Sequence, residues 1–97
     1  MTRQLVFRPA ARRDLHEIAD FTARNWGEAQ ATSYMEAIRS ALRRLCDNPA
    51  IGTDCSRLRA GLRKLVVGSH AVYYFDEAQR LRVSRILHAR MDAKRRL

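Results

Sequence analysis

Residues 62–92, LRKLVVGSHAVYYFDEAQRLRVSRILHARMD, decide the fold. Three β-type runs rich in Val, Ile, Leu and Tyr occur here: Leu62–Val67, Ala71–Phe75 and Leu81–Leu87. Gly68-Ser69 separates the first two, and two apolar runs joined by such a pair read as a tight hairpin because glycine supplies the positive φ the turn needs. Asp76–Gln79 makes a longer polar link to the third run. Parallel neighbours need crossovers of a dozen or more residues, so these runs form an antiparallel meander. In the strands, Leu65 and Val67 alternate with Lys64 and Val66, and Val72 and Tyr74 alternate with Tyr73 and Phe75. In the last run, Leu81, Val83 and Leu87 share a face that Arg85 interrupts, with Arg82, Ser84, Ile86 and His88 opposite. One face is apolar enough to be covered by the upstream chain. The other mixes Arg, His and Tyr and is half-exposed.

Upstream, Arg3–Phe7 is a short β-type run that ends at Pro9, a residue suited to the first turn of a helix. Ala11, Leu15, Ile18, Ala19 and Thr22 then form a helical stripe, with Arg12, Arg13, Asp14, Glu17 and Asp20 on other faces and Phe21 beside it. Asn25-Trp26-Gly27 breaks the pattern. A second helix runs from Glu28 to Cys46 on a stripe of Ala31, Tyr34, Ile38, Ala41, Leu42 and Leu45, and Asp47-Asn48-Pro49 stops it. Helices joined this closely pack as an antiparallel hairpin. Trp26 in the link is read as a plug over both helices in preference to a binding hot spot. Ala50–Ala60 shows no period and reads as a loop, and the basic tail Ala89–Leu97 is expected to extend past the sheet edge. The order strand, helix, helix, strand, strand, strand gives an α+β fold, a helical hairpin on a small antiparallel sheet, as one domain over 1–97.

Composition narrows the function. The 97 residues carry 19 Lys and Arg against 10 acids, a net charge of +9, and only Lys64 and Lys94 are lysines, which leaves 17 arginines. Such a surface attracts nucleic acid, an acidic protein or a complex containing both, and arginine favours bidentate contacts to carboxylate or phosphate. The arginine excess over lysine also fits a coding bias. No apolar run approaches the roughly 20 residues of a membrane span. Arg8, Arg12 and Arg13 interrupt any signal-peptide core, so a cytoplasmic protein is expected. Cys46 and Cys55 have no paired-cysteine or histidine partners nearby and read as reduced thiols, with no metal site.

No phosphate loop, zinc-protease or nucleophile-elbow motif is present, so neither a metal nor a nucleotide cofactor is expected. The acid–base candidates are histidines. His16 lies on the first helix and faces solvent. His70 opens the middle strand and His88 closes the last, which brings both to one end of the meander, followed by Arg90. That cluster fits two descriptions: general acid and base with an arginine for phosphate charge, or a structural pair bonded to loop backbone.

The blocks P-x-A-x-x-D-L-x-x-I (Pro9, Ala11, Asp14, Leu15, Ile18) and W-G-x-x-Q-A-x-x-Y (Trp26, Gly27, Gln30, Ala31, Tyr34) resemble the RelE/ParE toxin superfamily. The resemblance continues through N-P-x-x-G (Asn48, Pro49, Gly52), L-R (Leu62, Arg63), G-S-H-x-V-Y-Y (Gly68 to Tyr74) and I-L-H-x-R-M-D (Ile86 to Asp92), nearly the whole chain in order. The tryptophan–glycine and histidine–arginine–methionine–aspartate blocks resemble the ParE branch. The resemblance implies a toxin of a type II toxin–antitoxin module that acts on DNA gyrase without sequence-specific nucleic-acid binding. It also implies a ParD-type antitoxin wrapping the toxin with an otherwise disordered segment. Ribosome-dependent ribonucleases of the RelE branch usually have arginine where this chain has His70, and an aromatic residue near the end where it has Lys94-Arg95-Arg96-Leu97. Arg90 does match a position that is often catalytic in them, so messenger cleavage by His70, His88 and Arg90 is the alternative. The expected target contacts are His88, Arg90, Lys94, Arg95 and Arg96. The expected antitoxin contacts are Arg63, Tyr73, Arg82 and Arg85 on the less-covered sheet face and its rim.

Overall fold

Residues 2–97 are described in a computed structural model. Strand β1 (Gln4–Phe7) leads into helix α1 (Pro9–Trp26), which is followed by α2 (Glu28–Asp47), a 3-10 turn (Pro49–Ile51) and β2 (Thr53–Asp54). The meander is β3 (Leu62–Val67), β4 (His70–Asp76) and β5 (Arg80–His88), and the short helix α3 (Ala93–Arg96) closes the chain. Pro9 opens α1 at a position where a backbone N–H would have no partner. Gly27, at φ +93°, separates α1 from α2, and its N–H caps the Ala23 carbonyl at 3.0 Å. Only glycine adopts that backbone without strain.

The sheet order is β1-β5-β4-β3-β2. The meander is antiparallel as expected, but β1 pairs in parallel with β5, Leu5 opposite Leu81 and Phe7 opposite Val83, so the sheet is mixed. The chain between the two strands, α1 and α2 followed by β2, β3 and β4, far exceeds the dozen or so residues that a connection between parallel neighbours requires. The segment after α2 is also more ordered than a loop. The Tyr74 hydroxyl donates to the Pro49 carbonyl at 2.5 Å and accepts from the Gly52 N–H at 3.1 Å, pinning the turn, and β2 then pairs with β3. Gly52 is required there, because a Cβ would collide with the Tyr74 hydroxyl.

One core lies between the helices and the sheet. Ile18 of α1 and Ile38, Leu42 and Leu45 of α2 meet Val72, Tyr74, Leu81, Val83 and Ile86. Each aliphatic side chain buried there stabilises the fold by about 1.5–3 kcal/mol. A second, smaller cluster of Leu62, Ala71, Tyr73 and Leu87 sits on the opposite face, with Cys55, Phe75, Ala93 and Leu97 packed on it. The tail therefore folds back over the sheet instead of extending beyond its edge.

A register shift between Tyr73 and Tyr74 explains the composition of β5: Tyr73 faces Arg85, Tyr74 faces Val83, and Ser84 is the extra residue. Leu81, Val83 and Ile86 consequently join the helix-side core while Leu87 joins the other cluster, a change of face that unbroken alternation misses. Asp14 is a second departure, buried at 7% exposure on the sheet side of α1. Among the described residues, no helix is long and apolar enough to cross a membrane.

Candidate functional site

Beyond Phe7, no strand among the described residues flanks the outer side of β5, because its pairing with β1 stops at Val83. Asp14 takes that place. Its carboxylate accepts the Ile86 N–H at 2.9 Å and a two-pronged contact from Arg85, at 2.8 and 2.9 Å. The same guanidinium donates to the Arg96 carbonyl at 2.8 Å, tying α1, β5 and the tail together. Asp14 and its hydrogen bond hold the Arg85 pKa above the ordinary guanidinium value, so Arg85 is a fixed cation.

Next to this clamp, the β4–β5 ladder sets His70 directly opposite His88. The rings meet edge to face with centroids 5.4 Å apart. On the other side of His70, its Nδ1 lies 2.6 Å from the Tyr34 hydroxyl, which also accepts the Ser69 N–H at 3.0 Å. That hydroxyl has one proton to give, either to His70 or to the Val67 carbonyl 3.2 Å away. Burial, followed by the neighbouring His88, lowers the His70 pKa, and Asp14 opposes the shift. His70 is therefore predominantly uncharged at neutral pH. His88 Nδ1 accepts the Arg90 N–H at 3.1 Å, so a neutral His88 carries its proton on Nε2.

The histidines form the floor of a groove made of two joined concavities, of about 450 and 350 Å³, that share Phe21, Thr22, His70 and His88. Trp26 and Gln30 line one end, Met91 and Arg96 the other. A separate apolar groove of about 470 Å³ runs between α1, α2 and β1 over Leu5, Phe7 and Met35, with Arg12, Arg39 and Arg43 on its rim.

The residues expected to contact a target fall into two groups. His88 and Arg96 share the histidine groove and Arg90 follows His88 directly, while Lys94 and Arg95 stand exposed on α3 without lining the groove. Arg95 lies 3.7 Å from Asp92. Of the residues expected to contact an antitoxin, Tyr73, Arg82 and Arg85 do lie on the sheet face away from the helices, but Tyr73 is buried in its cluster. Arg82 bonds Glu77 at 2.8 Å and stacks 4.5 Å from the centre of the Phe75 ring, and Arg85 is held by Asp14. Arg63 is directed toward the 49–52 turn and donates to the Ala50 and Gly52 carbonyls. Trp26 is no plug: it is 72% exposed. Periodicity assigned Tyr34 to the core stripe, and only the pairing of strands reveals its role beside His70. His16 faces solvent as expected, Cys46 and Cys55 are free thiols, and no cluster of metal-ligating side chains occurs among the described residues.

A helical hairpin on a small mixed sheet is the architecture of the RelE/ParE toxins. Two solved structures have it: the chromosomal ParDE system of P. aeruginosa, at TM-score 0.76 and 18% identity over 90% of this chain and 96% of that one, and the RelBE2 toxin–antitoxin complex of Mycobacterium tuberculosis, at TM-score 0.66 and 23% identity over 91% and 99%. The family model for the ParE toxin of the type II toxin–antitoxin system parDE matches residues 5–93. Toxin ParE1 of Mycobacterium tuberculosis strain CDC 1551 is 40% identical over 98 residues, with both chains covered in full. This chain belongs to the ParE toxin family and is a type II toxin of the ParE type.

Proposed function

We propose that this toxin blocks growth by binding DNA gyrase and that a ParD-type antitoxin neutralises it. The observation that carries the reading is the ParE family match across residues 5–93, which spans the tryptophan–glycine block and the His88–Asp92 block. The physical features agree with a binding role. Arg90, Lys94 and Arg96 stand exposed without a carboxylate partner among the described residues. In this reading the exposed cations His88 adjoins, with Arg95, meet the target. A cytoplasmic location follows from the target.

For the antitoxin, we propose that an acidic, amphipathic segment lies along the groove over Leu5 and Phe7. The outer edge of β1 is open to a further strand, the floor is apolar, and the complementary charge comes first from Arg12, since Arg43 and Arg39 lie 2.9 and 3.9 Å from the Glu36 carboxylate. Arg82 and Arg85 contribute less than their position suggests, because Glu77 and Asp14 already answer their charge.

The test is supercoiling by purified gyrase with and without the toxin, run beside a ribosome-programmed message-cleavage assay. Inhibited supercoiling with intact message supports the proposal; cleaved message with unimpeded supercoiling sinks it. That second result would favour messenger cleavage, the reading to which the 5.4 Å histidine pair lends support. Replacing His70 and His88 together by Ala then abolishes toxicity.

A further inference from the structure

The described residues include six large apolar side chains that are exposed: Phe21, Trp26, Ile51, Leu58, Val66 and Met91. Three of them, Phe21 at 58%, Trp26 at 72% and Met91 at 44%, line the histidine groove, and the other three line neither of its concavities. Tryptophan is highly buried on average, so a ring this exposed at the rim of a groove marks an interaction site more often than a packing accident.

The two aromatic residues are also held in advance. Trp26 is the last residue of α1, fixed by the Gly27 turn and its 3.0 Å cap to Ala23, and the Asn25 side chain donates to the Phe21 carbonyl at 2.8 Å. A backbone ordered before binding loses less entropy when a partner arrives. Opposite them, the Met91 and Arg96 wall is cationic, and Arg90, Lys94 and Arg96 have no ion-pair partner among the described residues. Asp14 is engaged by Arg85, which leaves Glu17 as the acid on that side. An uncharged His70 beneath gives the floor no demand for a counter-ion.

We infer that Trp26 and Phe21, with Met91 across the groove, form the hot spot by which this toxin recognises a protein target whose matching surface offers an apolar side chain beside carboxylates. The inference rests on the reading of the toxin as a protein-binding inhibitor, and adds the residues that do the recognising. A protein fits better than RNA. Of the two arginines lining the groove, Arg85 is already answered by Asp14 and only Arg96, on the tail wall, lacks an ion-pair partner among the described residues, whereas a phosphate backbone would meet the Glu17 carboxylate on the other side.

The experiment compares Trp26→Ala, Phe21→Ala and Met91→Ala with wild type and with Val66→Ala, whose side chain is 56% exposed away from the groove. Each variant is checked for cooperative melting, then assayed for growth arrest, gyrase binding and antitoxin affinity. Met91 belongs to a different element from the two rings, so it carries the test if a helix variant fails to fold. Trp26→Ala is expected to weaken target binding about thirty-fold or more and relieve arrest. Antitoxin affinity should stay within about twofold, and Val66→Ala should match wild type. If wild type spares gyrase while Trp26→Ala still relieves arrest without any message cleavage, the gyrase assignment falls and the hot spot stands. Full toxicity of all three groove variants overturns the inference. So does a loss confined to antitoxin affinity, or message cleavage by wild type that Trp26→Ala removes, which would make the rings a base-stacking platform.

Discussion

Asp14 occupies a core position that is closed to most carboxylates. With 8% of its side chain exposed it would be costly unpaired, yet every prong is answered, by the Ile86 N–H and by both arms of Arg85. Asp14→Ala leaves a half-buried guanidinium and a strand N–H without their partner. We expect a loss of about 3 kcal/mol, the low end for a broken buried pair because Arg85 keeps some solvent contact, read as a lower urea midpoint. The position was legible in the spacing: Ala11, Asp14, Ile18 and Thr22 are the buried residues of α1, a regular helical stripe. Polarity argued the other way, and spacing was the better guide. His70 gives a pH signature. Its folded pKa lies below the unfolded value of about 6.5, so as pH falls the unfolded chain takes up the proton first. Stability therefore declines as pH drops below about 6.5 and the contribution levels off below the folded pKa. Urea midpoints between pH 7 and 5 should decline less steeply for His70→Gln than for wild type.

At the scale of elements, the meander and the helical hairpin were readable because their periods, two and near 3.6, are properties of the local sequence. The pairing of β1 was not. Which strand a short apolar run joins depends on where the crossover returns it, and nothing in Gln4–Phe7 encodes a partner 76 residues away. The tail was misjudged for a similar reason: its charges suggested an extended arm, but Ala93 and Leu97 supply an apolar side that the second cluster accepts, and the Asp92 side chain caps α3. Truncation after Asp92 is expected to cost about 1 kcal/mol or somewhat more, since Leu97 is half-buried, and to raise binding of a hydrophobic dye at the exposed Leu62, Tyr73 and Leu87. A dye signal equal to that of the full chain would show that the cluster does not depend on the tail.

For the whole molecule, the charge of +9 announced an anionic or acidic partner, and ordered motif blocks pointed to the toxin class. Neither disclosed where the surface is used. The arginines that looked available on the sheet, Arg63, Arg82 and Arg85, are tied to carbonyls or carboxylates of the same chain. The side chain that looked like internal packing, Trp26, is directed outward. Pairing of charges is a tertiary property, so a count of arginines fixes the sign of the field and leaves its working surface open. The parallel bond between β1 and β5 also has a bearing on synthesis. As the polypeptide emerges, Gln4–Phe7 has no neighbour to join until Arg80–Val83 follows, so the toxic shape cannot be assembled on a partly made chain. A cell making this protein is thus not exposed to its folded form before Arg80–Val83 have been made, which gives an antitoxin already present the chance to meet it as it forms.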